Sequence, residues 1–200
     1  RCFVGVVVLS ATPFAEAAGA GRYLTRPAGW FSTQEARLIA DNLLTYQSEL
    51  GGWPKNIETT AKPFAGKRSE LVGDLGPTFD NGATTDELRF LARIVNATRE
   101  ALYRSALERG LDYILTAQYP NGGWPQSHPA VSYHRHITFN DDTMVRLMEF
   151  VREVGRAEKF QFLDPARREA ARKAFDRGLD CILRCQIKVD GKLTAWCSQH

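Results

Sequence analysis

At 200 residues the chain is long enough for one domain with a substantial core and too short for two comfortable ones. Its 44% hydrophobic and 24% charged content is that of an ordinary globular protein. The net charge of +3 comes without the clustered Lys/Arg stripe of a nucleic-acid binder, so no nucleic-acid partner is expected. A weakly positive surface tolerates or attracts a polyanion, although such a balance is common.

The chain opens on an apolar stretch, Phe3 to Leu9, followed by small residues through Ala15, Ala17, Ala18 and Ala20. This reads as the remnant of a secretory leader over residues 1–20, with an A-x-A cleavage region at Ala15-Glu16-Ala17 and Arg1 as the last trace of a basic n-region. A buried strand of a longer parent is the alternative. The stretch is shorter than the roughly 20 apolar residues that cross a bilayer, so no membrane partner is expected. The expectation is a secreted or periplasmic monomer whose folded domain is residues 21–200. Cys181, Cys185 and Cys197 remain outside the leader, without a zinc spacing or a disulfide framework.

From residue 33 the dominant period is helical. A first helix buries Ala36, Ile39, Ala40, Leu43 and Tyr46 behind a Ser32–Glu35 capping box. The long, polar, glycine-rich loop from Lys55 to Pro77 is of the kind that is functional or mobile. A second helix opens at Thr84, boxed by Glu87, and buries Leu88, Leu91, Val95 and Thr98. A third spans about Ala101 to Gln118, burying Tyr103, Ala106, Tyr113 and Ile114. A fourth starts at Asn140 and carries Met144, Leu147, Met148 and Val151 on one stripe. A fifth runs from Pro165 to about Gln186, burying Ala170, Ala174, Cys181, Ile182 and Cys185, with proline in the first turn where its missing N–H costs nothing. No stretch alternates at period two for long enough to argue a sheet.

An internal repeat organises these helices. Gly110-Leu-Asp-Tyr-Ile-Leu-Thr-Ala-Gln118 matches Gly178-Leu-Asp-Cys-Ile-Leu-Arg-Cys-Gln186 at six of nine positions. Gln47 and Gln118 each lead into Gly-Gly-Trp-Pro, ending at Trp53 and Trp124, and Gln186 leads to a degenerate version ending at Trp196. A period of about 70 residues is one helix pair with its loops, and such units bury their faces by stacking. The expected fold is all-α, an incomplete α/α toroid with about three repeats visible. Packing is the favoured role of the Gly-Gly-Trp-Pro loops, with stacking of the indoles on sugar rings as the alternative.

Two segments hold equivalent places before the second helix of a repeat, Thr78-Phe79-Asp80-Asn81 and Thr138-Phe139-Asn140-Asp141-Asp142. Asn140 suits an N-cap and the aspartates after it suit the helix dipole, so capping explains that segment as well as function does. Asp80 has a weaker structural excuse, with an Asx-turn as its bland reading. Together Asp80 and Asp141 supply carboxylates at one end of adjacent helix pairs. They suit a hard cation such as calcium, or the acid and base of a glycoside hydrolase. Lys55 is a candidate contact for an anionic substrate. His134 and His136 carry little weight as loop histidines.

Taken in order, Gly51-Gly-Trp-Pro-Lys-Asn56, Phe79-Asp-Asn-Gly-Ala-Thr-Thr85, Asn121-Gly-Gly-Trp-Pro-Gln126, Ile137-Thr-Phe-Asn-Asp-Asp142 and Leu193-Thr-Ala-Trp-Cys-Ser-Gln-His200 resemble the pectate lyases of polysaccharide lyase family ten. The resemblance covers essentially everything after residue 45; each motif alone is weak and the ordered set is strong. It implies an α/α toroid that cleaves polygalacturonate by anti β-elimination with Ca2+. It also implies that residues 21–200 are the N-terminal part of the catalytic domain. Carried over by motif, Asp80 and Asp141 match the acidic positions that bind metal, and Asp80, Asn81, Lys55 and Asn140 are candidate substrate contacts; Arg135, standing just before the Asp141 segment, joins them as a further candidate. The family's proton acceptor is an arginine that follows the Trp-Cys-x-Gln-His stretch, so the base is expected beyond His200 and no residue here receives that role. A terpene-cyclase-like toroid is disfavoured because no Asp-x-Asp-Asp motif is present. A hydrolase, or a non-catalytic acidic-polysaccharide-binding remnant, stands as the alternative.

Overall fold

The computed structural model describes residues 19–200. Five helices form where the helical period predicts them: α1 (Gln34–Thr45), α2 (Thr85–Thr98), α3 (Ala101–Ala117), α4 (Thr143–Arg156) and α5 (Pro165–Arg184). The strand content among the described residues is one antiparallel hairpin, β1 (Lys188–Val189) with β2 (Lys192–Leu193). Helix α3 neighbours both α1 and α5, α2 neighbours α4, and the strongest contacts join α2 to α3 and α4 to α5. This is the double layer of an α/α toroid, and its core lies between the layers. The leader reading falls on residues 1–18, outside the described residues; Gly19 and Ala20, which it also covers, pack against α2.

Two capping expectations are corrected. The cap of α1 is Thr33, whose hydroxyl accepts from the Ala36 N–H at 3.2 Å, because Ser32 closes the preceding 3-10 turn and donates to the Gly29 carbonyl. The residue before α2, Thr84, sits at φ 68° and makes no side-chain cap. Its hydroxyl is used elsewhere: it donates to the Thr78 carbonyl at 2.9 Å and accepts from the Trp53 N–H at 3.0 Å.

The repeat is built on tryptophan and glutamine. The indole N–H groups of Trp53, Trp124 and Trp196 donate to the carbonyls of Leu43, Ile114 and Ile182, near the C-terminal ends of α1, α3 and α5. These carbonyls are among the acceptors that a helix end leaves without intrahelical partners. The Gln47 amide donates at 2.8 Å both to Gly51 within its own loop and to Ala106 on the next helix. Gln118 does the same with Gly122 and Ala174. An arginine of that next helix completes each glutamine, Arg109 on Gln47 and Arg177 on Gln118.

Glycines let the units approach. Trp53 and Trp124 are fully buried, and each covers a helical glycine of the following unit: a Cβ on Gly110 would lie 3.0 Å from Trp53, and one on Gly178 3.0 Å from Trp124. The packing role of the two Gly-Gly-Trp-Pro loops is therefore the correct one for Trp53 and Trp124. Trp196 makes the same indole bond but is 43% exposed, and Leu179, Leu183 and Leu193 are exposed near it in sequence.

The N-terminal segment docks on α2 through Glu87. This carboxylate is buried, accepts backbone N–H groups from Thr84 and Ala20, and leaves Oε2 without a partner. Burial, reinforced by the nearby Asp86 charge, pushes its pKa up to about 8.

Two measurements test this packing. Gly110→Ala would place a methyl 2.5 Å from Leu88, so a loss of about 1–3 kcal/mol is expected in urea unfolding. Gly29→Ala meets nothing within 4 Å and should stay within about 0.5 kcal/mol of the parent. For Glu87 the folded state holds its proton more tightly than the unfolded chain does. Its contribution is therefore complete at low pH and is lost as pH rises from about 4.5 towards about 8. Stability should fall over that window, and Glu87→Gln should flatten the slope.

Candidate functional site

The tryptophan loops place the polar residues. Two positions before Asp80, the Thr78 N–H donates to the Trp53 carbonyl at 3.0 Å, and Thr138 donates to Trp124 at 3.2 Å. Isolated β-bridges then tie Thr78 to Ser127 and Thr138 to Gln199, so each segment is clamped between its own loop and the loop of the next unit. Both segments next form a 3-10 turn, Asp80–Gly82 and Asn140–Asp142. The middle residue is left-handed in each, Asn81 at φ 53° and Asp141 at φ 51°. Backbone equivalence therefore pairs Asp80 with Asn140, and Asn81 with Asp141. The two carboxylates are one position out of register with each other.

This geometry removes the capping explanation for the second segment. Asn140 is not the N-cap of α4, and Asp141 and Asp142 are not in its first turn. Asp142 occupies the cap position with φ 59° and makes no side-chain cap bond. Left-handed backbone at non-glycine residues is uncommon and tends to gather at functional sites. The turn of Asn81 and the turn of Asp141 lie in contact with one another.

Asp80 is the most constrained polar group. It is 2% exposed, and its Oδ2 accepts from both the Lys55 ammonium and the Gln126 amide, the latter at 2.7 Å. Oδ1 is buried and has no partner. Lys55, the candidate contact for an anionic substrate, pairs with Asp80, and about a third of its side chain remains exposed. Asn81 is exposed and donates to Asn56 at 3.2 Å. Asn140 and Asp141 are exposed, and the Asn140 amide donates to Asp141 Oδ2 at 2.5 Å. Arg135 lies exposed in the turn Ser132–Arg135, its backbone carbonyl held by the Tyr119 hydroxyl at 2.6 Å.

Gln126 is the residue that sequence reasoning passed over. It is 7% exposed, its carbonyl accepts from the Phe79 N–H and the Thr78 hydroxyl at 2.9 Å, and its amide holds Asp80. The signal was available: Lys55 and Gln126 each stand two residues after a repeat tryptophan, and both converge on Asp80.

Calcium prefers six to eight oxygen ligands. Among the described residues no group of three or more His, Cys, Asp or Glu side chains is close enough to hold a metal ion. Asp80 Oδ2 is shared between Lys55 and Gln126 and its Oδ1 is unpartnered but buried, so the oxygen donors open to solvent are the carboxylates of Asp141 and Asp142 and the side-chain carbonyl of Asn140. These form an open set that suits a cation shared with an anionic ligand and do not make a protein cage.

A family model described as pectic acid lyase matches residues 47–200, which include every residue of this site. The chain belongs to the pectic acid lyase family. Two solved structures are similar to it. One is the family 10 polysaccharide lyase from Cellvibrio cellulosa, 31% identical with a TM-score of 0.71, covering 92% of this chain and 55% of its own. The other is an aspartate-to-alanine mutant of a family 10 polysaccharide lyase from the same organism in complex with trigalacturonic acid. It is 32% identical with a TM-score of 0.73, covering 90% of this chain and 55% of its own. The chain thus spans about half the length of the solved family members. No curated protein matches it. No helix among the described residues is long and apolar enough to cross a membrane.

The Asp80 cluster makes a quantitative demand. Removing one partner of a buried ion pair leaves an uncompensated charge. Because Lys55 is partly exposed, Lys55→Met is expected to destabilise the pectic acid lyase fold by about 1–3 kcal/mol. Adding Asp80→Asn to that variant should recover most of the loss in a double-mutant cycle read by urea unfolding.

Proposed function

We propose that the protein carrying these residues is a polysaccharide lyase that cleaves pectate by calcium-assisted anti β-elimination. The observation that carries this reading is the buried Asp80, fixed by Lys55 and Gln126 beside the exposed Asn140–Asp142 turn, in a chain whose family match covers that whole arrangement. A galacturonate chain is a polyanion with a carboxylate on every ring. An open set of oxygen donors at Asn140 and Asp141 can share a cation with such a carboxylate. Bound there, calcium would supply Lewis-acid withdrawal from the uronate carboxylate, lowering the barrier to loss of the proton on C5.

The elimination balances simply. A base takes the C5 proton, the C4–O4 bond breaks, a C4–C5 double bond forms, and the departing oxygen acquires a proton. No described residue is assigned as the base. Lys55 and Gln126 hold the Asp80 carboxylate in one orientation, which is the preorganisation that charge-stabilising sites need. Asn81 and Arg135 present polar groups to the same ligand from the flanking turns. The reading places the activity outside the cytoplasm, in line with the apolar, alanine-rich start of the sequence.

The hydrolase alternative is less favoured by the geometry. An acid catalyst must offer a proton from a carboxyl oxygen, and Asp80 Oδ2 is already shared by an ammonium and an amide N–H while Oδ1 is buried.

Elimination is distinguishable because its product absorbs in the ultraviolet. Growth of that absorbance on polygalacturonate should require calcium and stop with chelator. Asp80→Ala and Asp141→Ala should each lower the rate by about 100-fold or more, the scale seen when a charge-stabilising group is removed. Reducing ends without the chromophore would establish a hydrolase instead. An unchanged rate in both variants would move the site elsewhere.

A further inference from the structure

The Asp80–Gly82 turn stands before the first residue of α2, and at the other end of that helix the surface opens into a cavity of about 640 Å³. With 14 residues in α2, about 20 Å of helix separates the two places. The walls are the turn Ala28–Ser32, the last turns of α2 and residues 158–162. They are tied together. The Asn96 amide donates to the Ala92 carbonyl at 2.8 Å and to the Lys159 carbonyl at 2.6 Å, so α2 and the 158–162 segment are fixed to each other across the cavity.

The lining is cationic. Arg93, Arg99 and Lys159 face the cavity with one carboxylate, Glu158. The nearby acids outside it are already paired, Glu100 with Arg37, and Glu153 with Arg89 and Lys159. Among the described residues neither Arg93 nor Arg99 has a carboxylate within 4 Å. A helix dipole favours a basic residue just past a C-terminus, which accounts for Arg99 alone. Arg93 lies more than a turn inside α2, and its side chain makes one long bond of 3.5 Å, to the Arg26 carbonyl. Its guanidinium lies over the ring of buried Phe31, 5.3 Å from the centroid, which holds the charge at the wall. Phe162 is half-buried and leaves part of an apolar ring beside these cations.

We propose that this cavity is a second binding site for an acidic oligosaccharide, separate from the Asp80–Asp141 region. Arg93 and Arg99 would each take a uronate carboxylate, and the Phe162 ring would cover a sugar face. Arginine suits this because its planar fork matches a carboxylate. The inference rests on the uronate substrate class given under Proposed function and adds a place that holds the polymer without calcium. A second anchor on the same molecule raises the local concentration of polymer segments at the first site.

The test needs no turnover. Calorimetric titration with trigalacturonate is run in low-salt buffer, once with calcium and once with chelator. In chelator the parent should still bind. Arg99→Gln, an exposed position without an ion-pair partner, should weaken that binding about 10-fold, and adding Arg93→Gln should weaken it further. The calcium-dependent component should survive in both variants, which also shows that they remain folded. Triglutamate, with the same charges and no rings, should bind the parent less tightly than trigalacturonate. Binding in chelator that both variants leave unchanged would overturn the site, as would equal affinity for triglutamate. Binding that vanishes altogether with chelator would overturn it as well, and would leave the uronate reading standing. No binding of trigalacturonate to the folded parent under either condition would overturn the uronate reading itself, and this site with it.

Discussion

The polar site of this protein hangs from one hydrogen bond repeated along the chain, the indole N–H of a loop tryptophan on a carbonyl near the end of the preceding helix. That bond satisfies a helix-end acceptor and folds the indole into the gap between two units. The same loop then offers its backbone outward, to Thr78 after Trp53 and to Thr138 after Trp124. Asp80 and Asn140 each follow two residues later. Their positions are therefore inherited from packing. An indole buried to 0% exposure is among the most rigid anchors a core can provide, and rigidity is what a charge-stabilising site needs.

The second constraint follows from the first. Asp80 falls at the junction of two units, where little water can reach it, and a buried carboxylate must be compensated. Compensation comes from both sides of the junction, Lys55 from its own unit and Gln126 from the next. The cluster thus exists only where two units are stacked, so the integrity of the interface and the orientation of the carboxylate are one property.

The helices, the repeat and the double layer could be read from the sequence because they rest on periodic burial and on a motif that recurs. Leu43, Leu91, Ile114 and Leu147 are fully buried, as their spacing requires. The local decisions were harder to read. Ser32 and Thr33 are equally good caps by residue type, and the choice between them was made by the 3-10 turn that claims Ser32. Asn140 has the composition of an N-cap, yet its segment is held by Trp124 and Ser198 and forced into a left-handed turn, so tertiary contacts overrule the cap. Gln126 escaped notice because a glutamine is chemically mute until its neighbour is known, and its neighbour lies 46 residues away.

Trp196 separates what is local in this design from what is not. Its indole bond to Ile182 forms at 2.8 Å although the side chain is 43% exposed, so the loop and its own helix suffice to close the clamp. Burial of Trp53 and Trp124 is different in origin. It comes from a glycine on the following helix, Gly110 or Gly178, with Arg109 or Arg177 one residue earlier binding the glutamine. Gln186 shows the matching split: its amide reaches the Thr194 carbonyl within its own loop, and among the described residues no helix supplies the second acceptor that Ala106 and Ala174 provide to Gln47 and Gln118. Each unit therefore folds its own clamp and depends on its neighbour to dehydrate it. The consequence for the site is direct. Asp80 sits at a junction dehydrated on both sides, while the turn at Asn140 rests on the Ser198 loop, whose tryptophan is still in contact with water. The Asp80 carboxylate and the donors of the Asn140 turn thus hold equivalent places in one repeated structure, and the fixing of Asp80 comes from the unit that follows it.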